Sequence, residues 1–450
     1  MTRSVKSVQL QCVPSQPRDS HPSSSPQGSL LMNRYIANCM IILNIIVLVN
    51  SSMAQPPVQK LRSPGDKALI RGGLENAERK VLIQNSTPKR PLEVALNPFV
   101  DNNEIAGAVV LVADKQGIIA IQSVGLADIS AMRAMSRDSI FWIASMSKPV
   151  TGACIMMLQD EGKLSLDDPI TKHLPVMNNL KLADGTPAVI TIRQLLSHTS
   201  GMAELKKDEA YTAVSLAEAE SRYAKVKVEF VPGSKWQYSQ TSINMAGRIV
   251  EVVSGLTLDD FIEQRLCKPL QMKDTAFYLS EQQTARLAKS YRKNDEGILE
   301  ETNISLLSGL SPTDRNRMPA ANGGLFSTAE DYAKFCRMLL RDGELDGKRI
   351  LSAEAVKTMR TIVTGDLVTG FTPGNGWGIG CCVVREPQGV SESLSPGSFG
   401  HGGAYGTQAW IDPIKERIYI LMTQRANLPN ADASDLRREF QIAGKLLTRE

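Results

Sequence analysis

A serine and a lysine three residues apart, Ser145 and Lys148, could act as a nucleophile and its base. They precede Pro149 and the apolar run 150–158, which predicts a helix over 149–161. Positions i and i+3 share one face of a helix, so the hydroxyl and the amine would lie side by side. A serine hydroxyl needs an adjacent base, and a buried lysine can supply one because burial disfavours its charged form. The pair therefore predicts acyl transfer through a covalent serine intermediate.

This spacing is a weak signal by itself, because Ser290 and Lys293 share it. Residues 290–301 are polar and charged, and no apolar stretch leads into them. We therefore interpret Ser290 as a solvated surface residue and Ser145 as the candidate nucleophile.

The composition is that of an ordinary globular protein and gives no reason to expect a nucleic-acid partner. Of the 450 residues, 42% are hydrophobic and 22% are charged, which is a usual balance. The net charge of +4 falls to +1 once the four basic side chains and one acidic side chain of residues 1–54 are set aside. No basic patch remains to attract nucleic acid.

Residues 32–54 have the pattern of a signal peptide. A basic start is followed by an apolar run over 36–49, and small residues precede a predicted cleavage site near Ala54. The pattern predicts a periplasmic or secreted protein. The alternative is a membrane anchor formed by residues 36–49, although this run is shorter than the roughly 20 residues that a spanning helix needs.

Two further segments flank this pattern. Residues 1–31 are rich in Ser, Pro and Gln, and we interpret them as a disordered extension that arises if the natural start is Met32. Residues 55–75 read as a linker before the globular domain.

The cysteines and histidines indicate no metal site and no cofactor. Five cysteines follow the predicted signal peptide, and we expect them to be small buried hydrophobic residues; their number leaves room for a disulfide but also for a free thiol. They are Cys154, Cys267, Cys336, Cys381 and Cys382. None has zinc-ligand spacing with His173, His198 or His401.

Strand patterns lie near both ends of the predicted domain, with helical patterns between them. A hairpin is predicted over 106–121, and further strands over 381–384, 408–411 and 418–423. A closing helix is predicted over 435–447. This order predicts an α/β (α+β) fold in which one sheet is built from both chain ends around a helical insertion.

Four further motifs follow Ser145 and Lys148 in a specific order. They are Leu-Leu-Ser-His-Thr-Ser-Gly at 195–201, Pro-Gly-Ser-Lys-Trp-Gln-Tyr-Ser-Gln at 232–240, Asn-Gly-Gly-Leu-Phe-Ser-Thr-Ala-Glu-Asp-Tyr at 322–332 and Phe-Gly-His-Gly-Gly-Ala at 399–404. This set resembles the serine β-lactamase and penicillin-binding protein superfamily. It is most similar to the branch of class C β-lactamases, D-amino peptidases and β-lactamase-like carboxylesterases.

The resemblance covers residues 76–450 and implies the fold in more detail. It implies an antiparallel sheet flanked by helices, with an inserted all-helical lobe. The α/β lobe would comprise 76–140 and 320–450, and the helical lobe 141–319.

The resemblance also implies roles for individual residues. Ser145 matches the nucleophile, Lys148 its partner, and Tyr238 the tyrosine that shares the acid and base work. A tyrosine can relay a proton as a tyrosinate only if adjacent cations hold its pKa down. The backbone N–H groups of Ser145 and Ala404 would form the oxyanion hole.

Two departures from the family pattern concern substrate binding. Gln240 stands where an asparagine is usual, and the stretch His401, Gly402 and Gly403 stands where a Lys-Thr-Gly motif is usual. A neutral histidine attracts a substrate carboxylate less than a permanent cation does. Both changes favour neutral esters.

We therefore expect a serine hydrolase that acts on a small-molecule ester, amide or β-lactam, with a small carboxylic ester favoured. The first alternative is a β-lactamase or a D-amino peptidase, and the second is a non-catalytic penicillin-recognising scaffold. No Gly-x-Ser-x-Gly elbow accompanies His198, so we interpret His198 as structural. Core packing is the default role of the tryptophans near these motifs, and one or two of them are candidates for the wall of an acyl pocket.

Overall fold

The computed structural model describes residues 91–449, except residues 207, 208, 210, 371 and 430. The predicted extension, signal peptide and linker, and the first residues of the predicted domain, lie outside the described residues. The boundaries given for those segments stay predictions.

Fifteen short strands are present in the part of the chain that the structure describes. They are β1 Gly107–Ala113, β2 Ile118–Asp128, β3 Arg133–Ala134, β4 Phe141–Trp142, β5 Ser290–Lys293, β6 Leu299–Thr302, β7 Phe326–Ser327, β8 Glu344–Leu345, β9 Lys348–Arg349, β10 Asn375–Trp377, β11 Cys382–Val384, β12 Phe399–Gly402, β13 Gln408–Asp412, β14 Arg417–Thr423 and β15 Arg425–Ala426.

Eight of these described strands form one antiparallel sheet in the order β10, β11, β12, β13, β14, β1, β2, β3. Strand β1 pairs with β14 with Val110 opposite Leu421, and with β2 with Val110 opposite Gln122. Pairing of β1 with β14 joins the two ends of the described chain. The predicted α/β class and the antiparallel sheet built from both ends are confirmed.

Helices of the described part of the chain pack on both faces of this sheet. They are α1 Pro91–Asp101, α2 Ser147–Asp160, α3 Ile192–Leu196, α4 Leu216–Tyr223, α5 Gln240–Ser254, α6 Leu258–Ile262, α7 Lys268–Leu270, α8 Glu281–Thr284, α9 Ala329–Leu340, α10 Ala353–Met359 and α11 Asp435–Lys445. Helices α2 to α8 lie between β4 and β5 in the chain, within the segment predicted as the helical lobe. The hairpin β5–β6 belongs to the same predicted segment.

Strand β1 is buried on both faces, which explains its unbroken apolar sequence. Val109 and Leu111 belong to the large core shared with α2, α5 and α9. Val110 and Val112 face the opposite way and pack in a second core with residues of α1 and α11. The sheet therefore forms the middle of a three-layer structure.

Helix α2 contains Lys148, the predicted partner of the nucleophile, and is part of the large core. Residues 147–158 are all buried, as expected of a helix that is apolar on every side. A Cβ at Gly152 would lie 2.8 Å from the Ile379 carbonyl oxygen, so glycine allows close packing there. The helix begins at Ser147, two residues before the predicted start.

The interpretation of Ser290 as a solvated residue is wrong. Ser290 is buried on β5, and its Oγ donates to Gln424 Oε1 at 3.1 Å. Lys293 forms an ion pair with Glu104 instead of contacting Ser290. Because β5 is a strand, positions three apart point to opposite faces, so this second match cannot form a nucleophile–base pair.

All five cysteines of the described part of the chain are buried free thiols, as expected of small hydrophobic residues. No described helix is both long enough and apolar enough to cross a membrane. The described residues also contain no group of three or more His, Cys, Asp or Glu side chains that could hold a metal ion.

Candidate active site

Ser145 lies on a tight turn, the 3₁₀ segment Ala144–Met146, that leads directly into α2. Ala144 has a φ of 47°, a left-handed conformation that costs about 1 kcal/mol for a residue with a side chain. The Ile143 N–H donates to the Leu325 oxygen at 3.1 Å, and this bond holds the residue that precedes the turn. Ser147 Oγ donates to the Ala144 oxygen and accepts from the Leu325 N–H. Strain that the surroundings hold in this way is typical of functional sites.

Lys148 is fully buried, and its amine touches three polar groups. Nζ lies 3.0 Å from Ser145 Oγ, 2.9 Å from Gln240 Oε1 and 2.7 Å from the Asn322 backbone oxygen. The predicted contact between the Ser145 hydroxyl and the Lys148 amine is therefore present, and the two residues lie about one helical turn apart.

Burial lowers the pKa of Lys148 from 10.5 to about 7, although the charges of Glu204 and Asp432 act in the opposite direction. Near neutral pH the amine is therefore partly unprotonated. A neutral amine keeps two hydrogens for Gln240 and Asn322, and its lone pair can accept the Ser145 proton. The site can thus supply the base that a serine nucleophile needs.

Tyr238 lies on the other side of the nucleophile. Lys148 Nζ is 4.7 Å from the centre of its ring, and its hydroxyl hydrogen-bonds the Ser145 side chain. The same hydroxyl lies 3.4 Å from His401 Nε2. Burial is the largest influence on Tyr238 and raises its pKa well above 10. The structure therefore does not lower the pKa of Tyr238 as a resting tyrosinate would require, so the hydroxyl keeps its proton and can donate it.

His401 lies on β12 and is neutral in this setting. Burial, followed by the charge of Lys148, lowers the pKa of His401 to about 3. Its Nδ1 lies 2.6 Å from the Gly402 oxygen, so Nδ1 carries the hydrogen and Nε2 can accept from Tyr238. Consequently, no cation stands at the position where the family pattern has lysine.

His198 is fully buried behind Tyr238. Its ring lies 4.4 Å from the Tyr238 ring, centre to centre, and its Nδ1 accepts from the Ser239 N–H at 3.0 Å. Burial lowers the pKa of His198 well below 6.5, so the imidazole stays neutral. His198 supports the tyrosine and the chain that enters α5, which agrees with a structural role.

Gln240 begins α5 and is fixed by contacts at both ends. The carboxylate of Glu204 accepts from the N–H groups of Gln240 at 2.6 Å and of Thr241 at 3.3 Å, which suits the positive end of a helix. At the other end, Gln240 Oε1 accepts from Lys148 and from Asn322 Nδ2, each at 2.9 Å. The amide oxygen of Gln240 therefore contacts the Lys148 amine directly.

The sequence analysis assigned no role to several residues that the structure places in this network. Asn322 bonds Lys148 through its backbone oxygen, and its Nδ2 also lies 3.2 Å from the Tyr211 hydroxyl. Asn322 was visible as the first residue of the 322–332 motif. Tyr211, Glu204 and Asp432 lie in no recognised motif, and only the fold brings them near Lys148.

The turn after β12 packs directly against the nucleophile turn. A Cβ at Gly403 would lie 2.7 Å from the Ile143 oxygen and 3.4 Å from Ala144 Cβ, so only glycine permits this approach. The Gly403 N–H donates to the Thr407 oxygen at 2.7 Å, and Ala404 follows at an exposed position. Ala404 is therefore near Ser145, as an oxyanion hole formed by their two N–H groups requires. The assignment of that hole stays a prediction.

Two tryptophans extend the site beyond Tyr238. Trp236 and Trp377 have ring centres 5.5 Å apart, and Trp377 lies 5.8 Å from Tyr238. The other two have packing roles: Trp142 bonds the Gly323 oxygen, and Trp410 packs beneath a buried arginine. Trp236 is partly exposed whereas Trp377 is buried, so Trp236 is the candidate for an apolar wall.

Comparison with known proteins identifies the family. The family model described as Beta-lactamase matches residues 92–444, which include every site residue described above. The chain belongs to the β-lactamase family. It is therefore a serine hydrolase, and the predicted resemblance is confirmed.

The relatives of this β-lactamase-family hydrolase include proteins named as esterases. Protein Rv1367c of Mycobacterium tuberculosis is 33% identical over 76% of this chain and 91% of its own length. Esterase EstB of Burkholderia gladioli is 27% identical over 74% of this chain and 90% of its own. A solved structure titled EstCE1, a hydrolase with promiscuous acyltransferase activity, has a TM-score of 0.67 and 24% identity over 84% of this chain and 100% of its own. At that identity the structural likeness supports the fold alone.

Proposed function

We propose that this chain is an exported carboxylesterase that hydrolyses small neutral esters through an acyl-enzyme on Ser145. The observation that carries the proposal is the 3.0 Å contact between Lys148 Nζ and Ser145 Oγ. The pKa of Lys148 is about 7 in this setting. A base whose pKa lies near the working pH transfers protons most effectively.

In the acylation step, Ser145 Oγ attacks the ester carbonyl carbon while its proton passes to Lys148 Nζ. The oxyanion that forms is stabilised by the backbone N–H groups of Ser145 and Ala404. When the bond to the leaving alcohol breaks, Tyr238 donates its proton to the departing oxygen. The ammonium of Lys148 then returns a proton to Tyr238, which restores both groups.

In the deacylation step, water attacks the acyl carbonyl carbon and gives a proton to the same base. The bond between the acyl group and Ser145 breaks, and Ser145 recovers a proton from Lys148. The products are the acid and the free enzyme, and no cofactor takes part.

Two structural features, and the name of one relative, favour a neutral ester over a substrate that carries a carboxylate. His401 is neutral, so the strand that lines the site lacks the cation that would hold a substrate carboxylate. Trp236, which is partly exposed and packs against the buried Trp377, offers an apolar surface for an acyl or alcohol group. The name of the Burkholderia gladioli relative, an esterase, points in the same direction.

A side-by-side assay on the purified chain tests this proposal, with Ser145→Ala as the matched control. The substrates are p-nitrophenyl butyrate and a chromogenic cephalosporin. We expect ester turnover that the variant loses and little cleavage of the cephalosporin. Preferred cleavage of the cephalosporin would instead make the chain a β-lactamase. A chain that turns over neither compound would contradict the esterase assignment.

Export is part of the proposal and is supported by the signal-peptide pattern of residues 32–54. N-terminal sequencing of the natural product should find a mature protein that begins at Gln55. A product that keeps residues 36–49 and sediments with membranes would show an anchored enzyme instead.

A further inference from the structure

Asp432 places a carboxyl group beside the strand that lines the active site. It lies in the short turn Ala431–Ala433 that precedes α11. Its Oδ1 is 3.4 Å from Gln408 Nε2 on β13, and Gln408 lies opposite Gly402 in the sheet. The backbone oxygen of Asp432 accepts from Arg437 at 2.5 Å. Gln408 thus holds the carboxyl group, and Arg437 holds the backbone from which it projects.

The carboxyl group of Asp432 occupies the space next to β12 where a side chain at position 402 would project. A Cβ at Gly402 would lie 1.8 Å from Asp432 Oδ1, far inside contact distance. A side chain at this position would displace Asp432, and also Gln408, whose Nε2 would lie 2.5 Å from the added Cβ. The two residues line a small cavity together with His401 and Trp377, so the carboxyl group faces the same region as the site histidine.

The charges that face this region are mostly negative or absent. His401 and His198 are neutral, because burial lowers the pKa of each. Glu204 lies at the start of α5. Lys148 is a neutral amine when the substrate binds and becomes a cation as it takes the Ser145 proton, in Asp432→Asn as in the wild type. The remaining cation near Asp432 is Arg437, whose guanidinium is buried against the Trp410 ring at 4.0 Å. Its guanidinium also donates to the Asp432 backbone oxygen, and its charge partly offsets that of the carboxyl group.

We infer that Asp432 selects against substrates that carry a carboxylate near the scissile carbonyl, so that the site prefers neutral or cationic esters. This inference rests on the proposed function and names the class of ester that the same site takes. Like charges a few ångströms apart in a partly buried setting repel strongly. The carboxyl group thus acts as an element of specificity that excludes a wrong substrate.

The selection should depend on pH in a defined direction. Burial is the largest influence on Asp432 and raises its pKa, while Arg437, Gln408 and Lys148 act to lower it. The carboxyl group is charged above its pKa and neutral below it. Discrimination against a carboxylate substrate should therefore be strong in alkaline solution and should weaken as the pH falls. Lys148 also gains a positive charge near pH 7, so the contribution of Asp432 is the part of this change that Asp432→Asn abolishes.

The test compares kcat/KM for two matched pairs of esters at pH 8. One pair carries the charge on the acyl group: p-nitrophenyl butyrate and p-nitrophenyl hemisuccinate. The other carries it on the leaving group: methyl 4-acetoxybenzoate and 4-acetoxybenzoate. Asp432→Asn should raise the ratio of the charged to the neutral substrate about tenfold in at least one pair. Glu439→Gln, which removes an exposed acid from the helix that follows Asp432, should leave both ratios unchanged.

A second variant, Asp432→Ser, covers the case in which Asp432→Asn does not fold. It also removes the negative charge, so the ratio of the charged to the neutral substrate at pH 8 should rise as it does in Asp432→Asn. A ratio that keeps its wild-type value in the folded variants would overturn the inference.

The failure of the proposed function can be told apart from the failure of this inference. Neutral and carboxylate-bearing alkyl fluorophosphonates label an active serine without any turnover of ester. Faster labelling of Ser145 by the neutral probe, with the difference reduced in Asp432→Asn, supports the selection even if esters are not hydrolysed. Ester hydrolysis with equal labelling by both probes in both proteins overturns the selection and leaves the proposed function standing.

Discussion

The pKa of Lys148 gives a quantitative prediction for the pH dependence of catalysis. Its value of about 7 lies well below the ordinary 10.5, a difference worth about 5 kcal/mol between the two protonation states. At pH 7 about half of the molecules then hold a neutral amine, against about one in 3,000 for an ordinary lysine. The other groups that contact Ser145 and Tyr238 titrate far from this range, because the pKa of Tyr238 is raised well above 10 and that of His401 is lowered to about 3.

We therefore expect kcat/KM for a neutral ester to rise with pH along one limb centred near 7 and to level off above about 8. Glu204→Gln is the perturbation. Glu204 raises the pKa of Lys148 by its charge, so its removal should move the limb to lower pH. Because Glu204 is exposed, solvent screening keeps this effect modest. Glu209→Gln, which removes another exposed acid from the same segment, is the matched control and should leave the limb in place.

The assay is a set of initial rates with p-nitrophenyl butyrate from pH 5 to 10 at constant ionic strength. A limb that is still rising at pH 10 would show that Lys148 keeps an ordinary pKa. A rate that is flat from pH 5 to 8 would exclude Lys148 as the base. A limb that moves equally in both variants would refute the assignment of the electrostatic effect to Glu204.

Three further predictions concern individual residues. Tyr238→Phe should lower kcat by a factor of about 10² to 10⁴, as loss of a general acid does, with KM for p-nitrophenyl butyrate little changed; an unchanged kcat would exclude Tyr238 from proton transfer. Lys148→Met should remove a pH dependence of stability. Between about pH 7 and 10.5 the unfolded wild type holds a proton on this lysine that the folded protein lacks. The free energy of unfolding of the wild type should therefore rise with pH relative to that of the variant, by at most about 1.4 kcal/mol per pH unit. Denaturant titrations at several pH values measure this, and parallel curves would contradict it. Gly403→Ala should reduce activity strongly, because the added Cβ would lie 2.7 Å from the Ile143 oxygen and displace the nucleophile turn; ester assays with full activity would contradict this packing.

The fold could be predicted from the sequence wherever the hydrophobic pattern is unambiguous. The apolar run 107–113 and the later run 417–423 are strands, as predicted, because each is buried within the sheet. Residues 290–293 form a strand although they are polar, because the strand contains Tyr291 and a buried serine whose partner, Gln424, lies 134 positions away. No local pattern records that contact.

The site was predictable where its residues lie in ordered motifs, and unpredictable where only packing decides. Ser145, Lys148 and Tyr238 lie together as the motifs imply. The protonation state of Tyr238 depends on how deeply it is buried, which the sequence does not record. Asp432 approaches Gly402 from 30 residues further along the chain, and only the completed fold shows why that glycine is needed.

The central claim is that Ser145 carries the acyl group, and intact-protein mass spectrometry tests it most directly. The chain is mixed with p-nitrophenyl butyrate, quenched with acid within the first turnovers, weighed and then digested. We predict one added butyryl group, located on the peptide that contains Ser145 and absent from Ser145→Ala. Rapid hydrolysis with the butyryl group on another residue, or hydrolysis that persists in Ser145→Ala, would contradict the account.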